Sequence, residues 1–245
     1  MSAESQTAGT KLLPFVLAVI AGSTDVIGFL ALNLFTAHIT GNLVILAAHV
    51  VIGAEAPLAL IISVPVFIAA LVVTRLAAAG LDRAGIASLG VLLLAQFILL
   101  GAFLAIGLAA GPAVNPAAPI MVGAAMLGVC AMAVQNELVR VALEGAPATA
   151  VLTSNITLLT TDLGEMLLGR DASRAAKARD RAKRTWPAIA GFLAGCILGA
   201  LCEAAFGLRS LVLPAGFALV ALAMGVRESG RAARTATCKV VGAKR

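Results

Sequence analysis

Residues 12–54 read LLPFVLAVIAGSTDVIGFLALNLFTAHITGNLVILAAHVVIGA. Leu12 to Leu32 forms one apolar run, interrupted only by Ser23, Thr24 and Asp25. A helix of that length reaches across a bilayer core, which takes about 20 residues. A polar patch, Thr36 to Asn42, separates it from a second apolar run, Leu43 to Ala54. A helix over 42–53 rises roughly 18 Å at 1.5 Å per residue, well short of a hydrocarbon core of about 30 Å. The second run is therefore expected to enter the membrane without crossing it.

The arrangement returns in the second half of the chain. Ile39-Thr40-Gly41-Asn42 opens the first short run, and Leu152-Thr153-Ser154-Asn155 opens another, Val151 to Leu168. That run is too polar for a plain span because of Thr153, Ser154, Asn155, Thr160, Thr161, Asp162 and Glu165.

Composition sets the class. Hydrophobic residues make up 61% of the chain and charged residues 12%, against roughly 45–50% and 25% in soluble domains. An ordinary soluble domain, a disordered chain and a fibrous repeat are excluded. Membrane strands are disfavoured too: there is no tyrosine, aromatics are 4%, and the apolar runs do not alternate. A helix satisfies its own backbone in lipid, so the expected class is an all-α integral membrane protein. Cys130, Cys196 and Cys202 lie in apolar runs and read as packing residues, while Cys238 belongs to the tail. The first run is too long for the h-region of a cleavable leader and ends without a small-x-small site.

Charge sets the topology. Basic residues crowd into 170–184 and into the tail after Val226, within a net charge of +6. Short basic segments beside spans stay in the cytoplasm. With Lys11, Arg75–Arg83, 170–184 and the tail inside, the runs Leu12–Leu32, Leu58–Val73, Ile86–Ala110, Ile120–Leu143, Pro187–Leu201 and Leu211–Val226 cross. The two short runs do not. The uncharged, breaker-rich loop Gly111–Pro119 then falls outside.

Each half thus reads as span, half-helix, span, span. Three crossings per half give the halves opposite orientation. The expected architecture is about six transmembrane helices plus two re-entrant half-helices in two inverted three-span repeats. In domain terms, 1–11 is a short tail and 12–226 one membrane domain with halves of about 12–110 and 117–226. Residues 170–184 form a basic cytoplasmic loop, and 227–245 a loose basic tail. Eight plain spans are the simpler alternative.

Gly22-Ser23-Thr24-Asp25-Val26-Ile27-Gly28-Phe29 followed by Phe35-Thr36-Ala37-His38-Ile39-Thr40-Gly41-Asn42 resembles the signature of the YoaK family of bacterial membrane proteins. Ala131-Met132-Ala133-Val134-Gln135-Asn136 and Leu152-Thr153-Ser154-Asn155 resemble its companion signature, with Ser154 where glycine is common. The order of elements agrees from about Lys11 to Val226. The resemblance implies a multi-spanning inner-membrane protein and supplies no reaction.

Inverted repeats with interrupted helices are a transporter plan, with the solute site between the repeats. The expected function is a small-solute transporter or channel-like permease. A non-transporting sensor or scaffold acting through the basic face is the rival. The expected substrate-binding residues are Asp25, Thr40, Gly41, Asn42, Gln135, Asn136, Thr153, Ser154 and Asn155. Thr, Ser and Asn cap helix starts, whose free N–H groups favour anions. The starts at Thr40 and Thr153 are expected to approach each other near the midplane. Ordinary capping and close packing would use the same residues. Asp25 is costly inside a span and so should face a cavity or a partner. Gln135 and Asn136 occupy the corresponding run of the second half and can orient a solute or bond helices together. His38 can titrate near neutral pH. Glu137 and Arg140 are spaced for an i,i+3 ion pair, and Asp162 and Glu165 can meet the basic segment. Gly191, Gly195 and Gly199 lie at helix-packing spacing. No catalytic, metal or phosphate-binding motif is present, so no enzyme activity, cofactor or nucleic-acid partner is expected. Membrane lipids and an unidentified small solute are the expected partners, in the bacterial inner membrane with both termini cytoplasmic.

Overall fold

The computed structural model describes residues 3–53, 55, 57–111, 114–143, 145–169 and 171–242, with side chains described within 12–227. The described elements are helices: α1 (Ala3–Leu32), α2 (Ile39–Ile52), α3 (Leu58–Arg83), α4 (Ser88–Ala109), α5 (Pro119–Ala142), α6 (Leu152–Leu168), α7 (Ala172–Phe206), a 3-10 turn (Gly207–Leu211) and α8 (Val212–Gly242). Five stretches are long and apolar enough to cross a membrane: Leu12–Leu32, Leu58–Arg83, Ser88–Ala109, Pro119–Ala142 and Ala172–Arg227. The last holds both α7 and α8, joined through the 3-10 turn. Neither α2 nor α6 qualifies. Large apolar side chains such as Val50, Val51, Ile52, Leu76, Ile197 and Leu201 are exposed. That surface suits lipid and is far beyond what a soluble monomer shows. The chain is a polytopic helical membrane protein.

Local chemistry explains the boundaries. Pro119 sits in the first turn of α5, where its missing N–H costs nothing. The Asp171 carboxylate accepts from Ser173 N at 2.8 Å and starts α7. Both short helices end on a left-handed glycine, Gly53 at φ 68° and Gly169 at φ 58°. Two expectations change here. The basic stretch within 170–184 is helical from Ala172 onward rather than a loop; Arg170 itself lies outside the described residues. Alanine, arginine and lysine are strong helix formers, and they extend α7 out of its apolar part. The same holds for the tail, which continues α8 as helix to Gly242 although it has no apolar period.

Burial separates centre from periphery. The apolar windows of α1 and α5 are 72% and 61% buried, whereas those of α3, α4 and the α7–α8 stretch are 22–28% buried. Around this central pair, α1 packs on α7 and α8, and α5 packs on α3 and α4. Helix α2 lies on α3, α6 on α7, and α4 meets α8. The α1–α7 contact is backbone against backbone. A Cβ on Gly191, Gly195 or Gly199 would run into the backbone of Phe15, Val19 or Ser23, and one on Gly22 into that of Phe192. Lipid removes any hydrophobic drive between helices, so this close approach is what holds them.

Candidate functional site

The α1–α2 connector is folded onto one carboxylate. Asp25, 3% exposed, accepts from Thr36 Oγ1 at 3.0 Å and from the Ala37 N–H at 2.6 Å on Oδ1. His38 Nδ1 bonds Oδ2. Asn42, fully buried, reaches back seven residues: Phe35 N donates to its Oδ1 at 2.9 Å, and its Nδ2 donates to Phe35 O at 2.7 Å. The same Nδ2 reaches Ser63 Oγ on α3 at 3.2 Å. Phe35 stacks on Phe29 with centroids 4.6 Å apart, and His38 meets the edge of Phe192 at 5.4 Å. The connector is thereby fastened to α1, α3 and α7.

The α5–α6 connector is folded onto an amide. Gln135, fully buried, donates through Nε2 to Thr149 Oγ1 at 2.9 Å and to Leu17 O of α1 at 2.8 Å. Its Oε1 accepts from Gln96 Nε2 of α4 at 2.6 Å. Asn155 also reaches back seven residues, with Nδ2 donating to Ala148 O at 2.5 Å. Thr36 and Thr149 each stand directly after the residue that its asparagine grips. Asp25 and Gln135 each stand seven residues before the last residue of their helix.

Of the expected site residues, Asp25, Asn42, Gln135 and Asn155 are buried and bonded to the connectors. The others are placed differently. Thr40, Thr153 and Ser154 are exposed, and Gly41 lies against the Phe35 ring. Asn136 is half-buried and bonds Met132 O of its own helix at 3.0 Å. The helices start on His38 and Val151, neither of which forms a side-chain cap. Each asparagine is the fourth residue of its helix, past the position from which a side chain caps a helix start, and it closes the connector back onto the first turn instead. Helices α2 and α6 are not packed against one another, so the expected meeting of Thr40 with Thr153 gives way to two separate polar clusters. The carboxylate of Asp25 is taken up by donors of the connector that leads into α2.

Sequence reasoning did not place His38, Thr36, Thr149 or Gln96 among the site residues. The signal for the threonines was their identical offset from the two asparagines. At the α6–α7 end, Arg181 bonds Asp162 Oδ1 through Nε at 2.9 Å and Nη2 at 2.5 Å, and Glu165 at 3.3 Å. Here the acids do meet the basic segment. Glu137 faces Arg75 of α3 at 3.7 Å rather than Arg140, because its side chain points into the α3–α5 contact. A cavity of about 520 Å³ opens between Leu30, Gly107, Glu203, Phe206, Gly207 and Arg209. A smaller one of about 180 Å³ lies beside Pro147, Leu158, Arg181 and Arg184.

One family model, described as a protein of unknown function (DUF1275), matches residues 13–224. No curated protein and no solved structure matches the chain.

Proposed function

The chain belongs to the DUF1275 family, and we propose that it is a small-solute permease of the bacterial inner membrane built from two inverted three-span repeats. The observation that carries this reading is the exchange of helix partners. Swapping α1 with α5, α2 with α6, α3 with α7 and α4 with α8 turns the α1–α7 contact into α5–α3. It likewise turns α1–α8 into α5–α4 and α2–α3 into α6–α7. Each first helix thus packs on the third helix of the other half, as intertwined repeats do. The paired asparagine grips and the paired glycine ends follow the same exchange. Inverted repeats place the solute between them, here beside α1 and α5, where Asp25 and Gln135 hold the two connectors. Thr40, Gly41, Asn136, Thr153 and Ser154 flank these connectors.

In this reading the six long apolar helices cross, and α2 and α6 re-enter. Both termini and 170–184 face the cytoplasm, by the excess of basic residues there. Residues 12–226 act as one membrane domain among lipids. The reading assigns no enzymatic step, no cofactor and no nucleic-acid partner, and it keeps the YoaK likeness as the narrower family assignment. Purified protein in liposomes, offered a panel of small anions, amino acids and sugars, is expected to take up one class. Asp25→Asn and Gln135→Leu should lower that uptake at least tenfold. A folded, reconstituted protein that moves nothing in the panel would overturn the permease and favour a sensing or scaffold role.

A further inference from the structure

We propose that Asp25 and His38 form one proton-binding site that couples solute movement to the proton gradient, with His38 Nε2 as the atom that takes up the proton. The inference rests on the permease reading and supplies its coupling ion. An ionised carboxylate offers only acceptors, so the hydrogen between His38 Nδ1 and Asp25 Oδ2 belongs to the imidazole. Nε2 then carries a lone pair. The Asp25 side chain is 4% exposed and that of His38 35%, so one member of the pair is sealed inside while the other remains reachable.

The step is simple in charge. Before uptake, Asp25 is −1 and His38 neutral. A proton arriving from water bonds to Nε2, no other bond breaks, and the pair becomes a neutral imidazolium–carboxylate. A lone carboxylate at this depth is costly, and the imidazolium formed beside it offsets part of that cost by direct attraction. The titratable group facing the site from α7 is Cys196, whose Sγ lies 3.7 Å from Gly22 O. Further along α7, Glu203 shares the outer cavity with Arg209, beside Leu30 and Ala31 of α1. From α5 and α3 the approach is by Gly128 and Ser63, which do not titrate. In the other half Gln135 keeps the same place with an amide that cannot take part. The charge change is thus confined to one connector, whose grip on Asp25 depends on the protonation of His38 at its end. That makes the α1–α2 connector the element that a proton can bias.

The chain has two histidines, and His49 bonds Ile45 O within α2. His49→Gln therefore leaves His38 as the single imidazole signal in an NMR titration of the full chain in lipid nanodiscs. One protonation step is expected at Nε2, and adding Asp25→Asn should lower its midpoint. In liposomes loaded with a pH dye, His38→Gln, which keeps a donor toward Asp25, should reduce solute-driven proton entry at least tenfold. An unchanged midpoint in Asp25→Asn overturns the paired site. Undiminished proton entry in His38→Gln overturns its coupling role. The titration needs no solute, so its failure is separable from that of the permease reading, which shows as absent solute uptake by the parent protein.

Discussion

The two connectors are built alike and charged differently. Each follows a central helix, is gripped by an asparagine seven residues on, and is anchored through a threonine to a buried side chain of the helix before it. In the first half that side chain is Asp25, with three donors pointing at it. In the second it is Gln135, which accepts once and donates twice. An amide both accepts and donates, and it stays neutral at every pH. A carboxylate depends on donors converging from the connector. One connector is therefore a fixed brace, and the other responds to anything that changes the charge beneath it.

The comparison breaks most visibly when each anchor is removed. Asp25→Ala leaves three donors without an acceptor, and Gln135→Ala breaks three neutral bonds. Bonds to a charged group are worth roughly twice neutral ones, so the expected losses are about 4 and about 2 kcal/mol, read from unfolding in detergent. Equal losses would mean that the two anchors bear the same load.

Gln135→Glu makes the halves alike in chemistry. Ionisation of the new carboxyl would set a charge against the Leu17 carbonyl, an acceptor facing an acceptor. The variant should lose thermal stability steadily from acidic to alkaline buffer, while the parent protein shows a smaller change over the same range. A smaller asymmetry separates the asparagines. Asn42→Ala removes three bonds and should cost about 2 kcal/mol, against about 1 kcal/mol for Asn155→Ala, which removes one. The smallest effect sharpens the comparison in space. Lys177→Cys on the exposed face of α7 should change stability by less than about 0.5 kcal/mol and resist an impermeant thiol reagent in intact cells. Labelling there would reverse the assignment of each connector to its side of the membrane.

That α2 and α6 stand apart from the long apolar stretches was legible because length and polarity are local: 42–53 is short and Val151–Leu168 polar, whatever surrounds them. Asp25 and Gln135 were legible because a polar group inside an apolar run must find a partner, whereas the two asparagines were read as helix caps and instead tie the connectors. The connector threonines were not legible, since in sequence they look like ordinary loop residues, and His38 was read as a titratable group but not as the partner of Asp25. Their importance comes from a chain reversal that brings them onto a helix already passed.

Composition and hydrophobic run length alone determined that this chain is helical and membrane-embedded. Those properties are sums of transfer free energies taken residue by residue, and they hold before any helix meets another. The choice of partners was decided only in three dimensions. In lipid, one apolar face is as good as the next. That α1 seeks α7 rather than α3 therefore depends on a stripe of glycines that admits its backbone, far along the chain. That Asn42 grips Phe35 depends on a connector that has folded back over the first turn of α2. Shape and unsatisfied hydrogen bonds make those choices, and neither can be read until the helices are side by side.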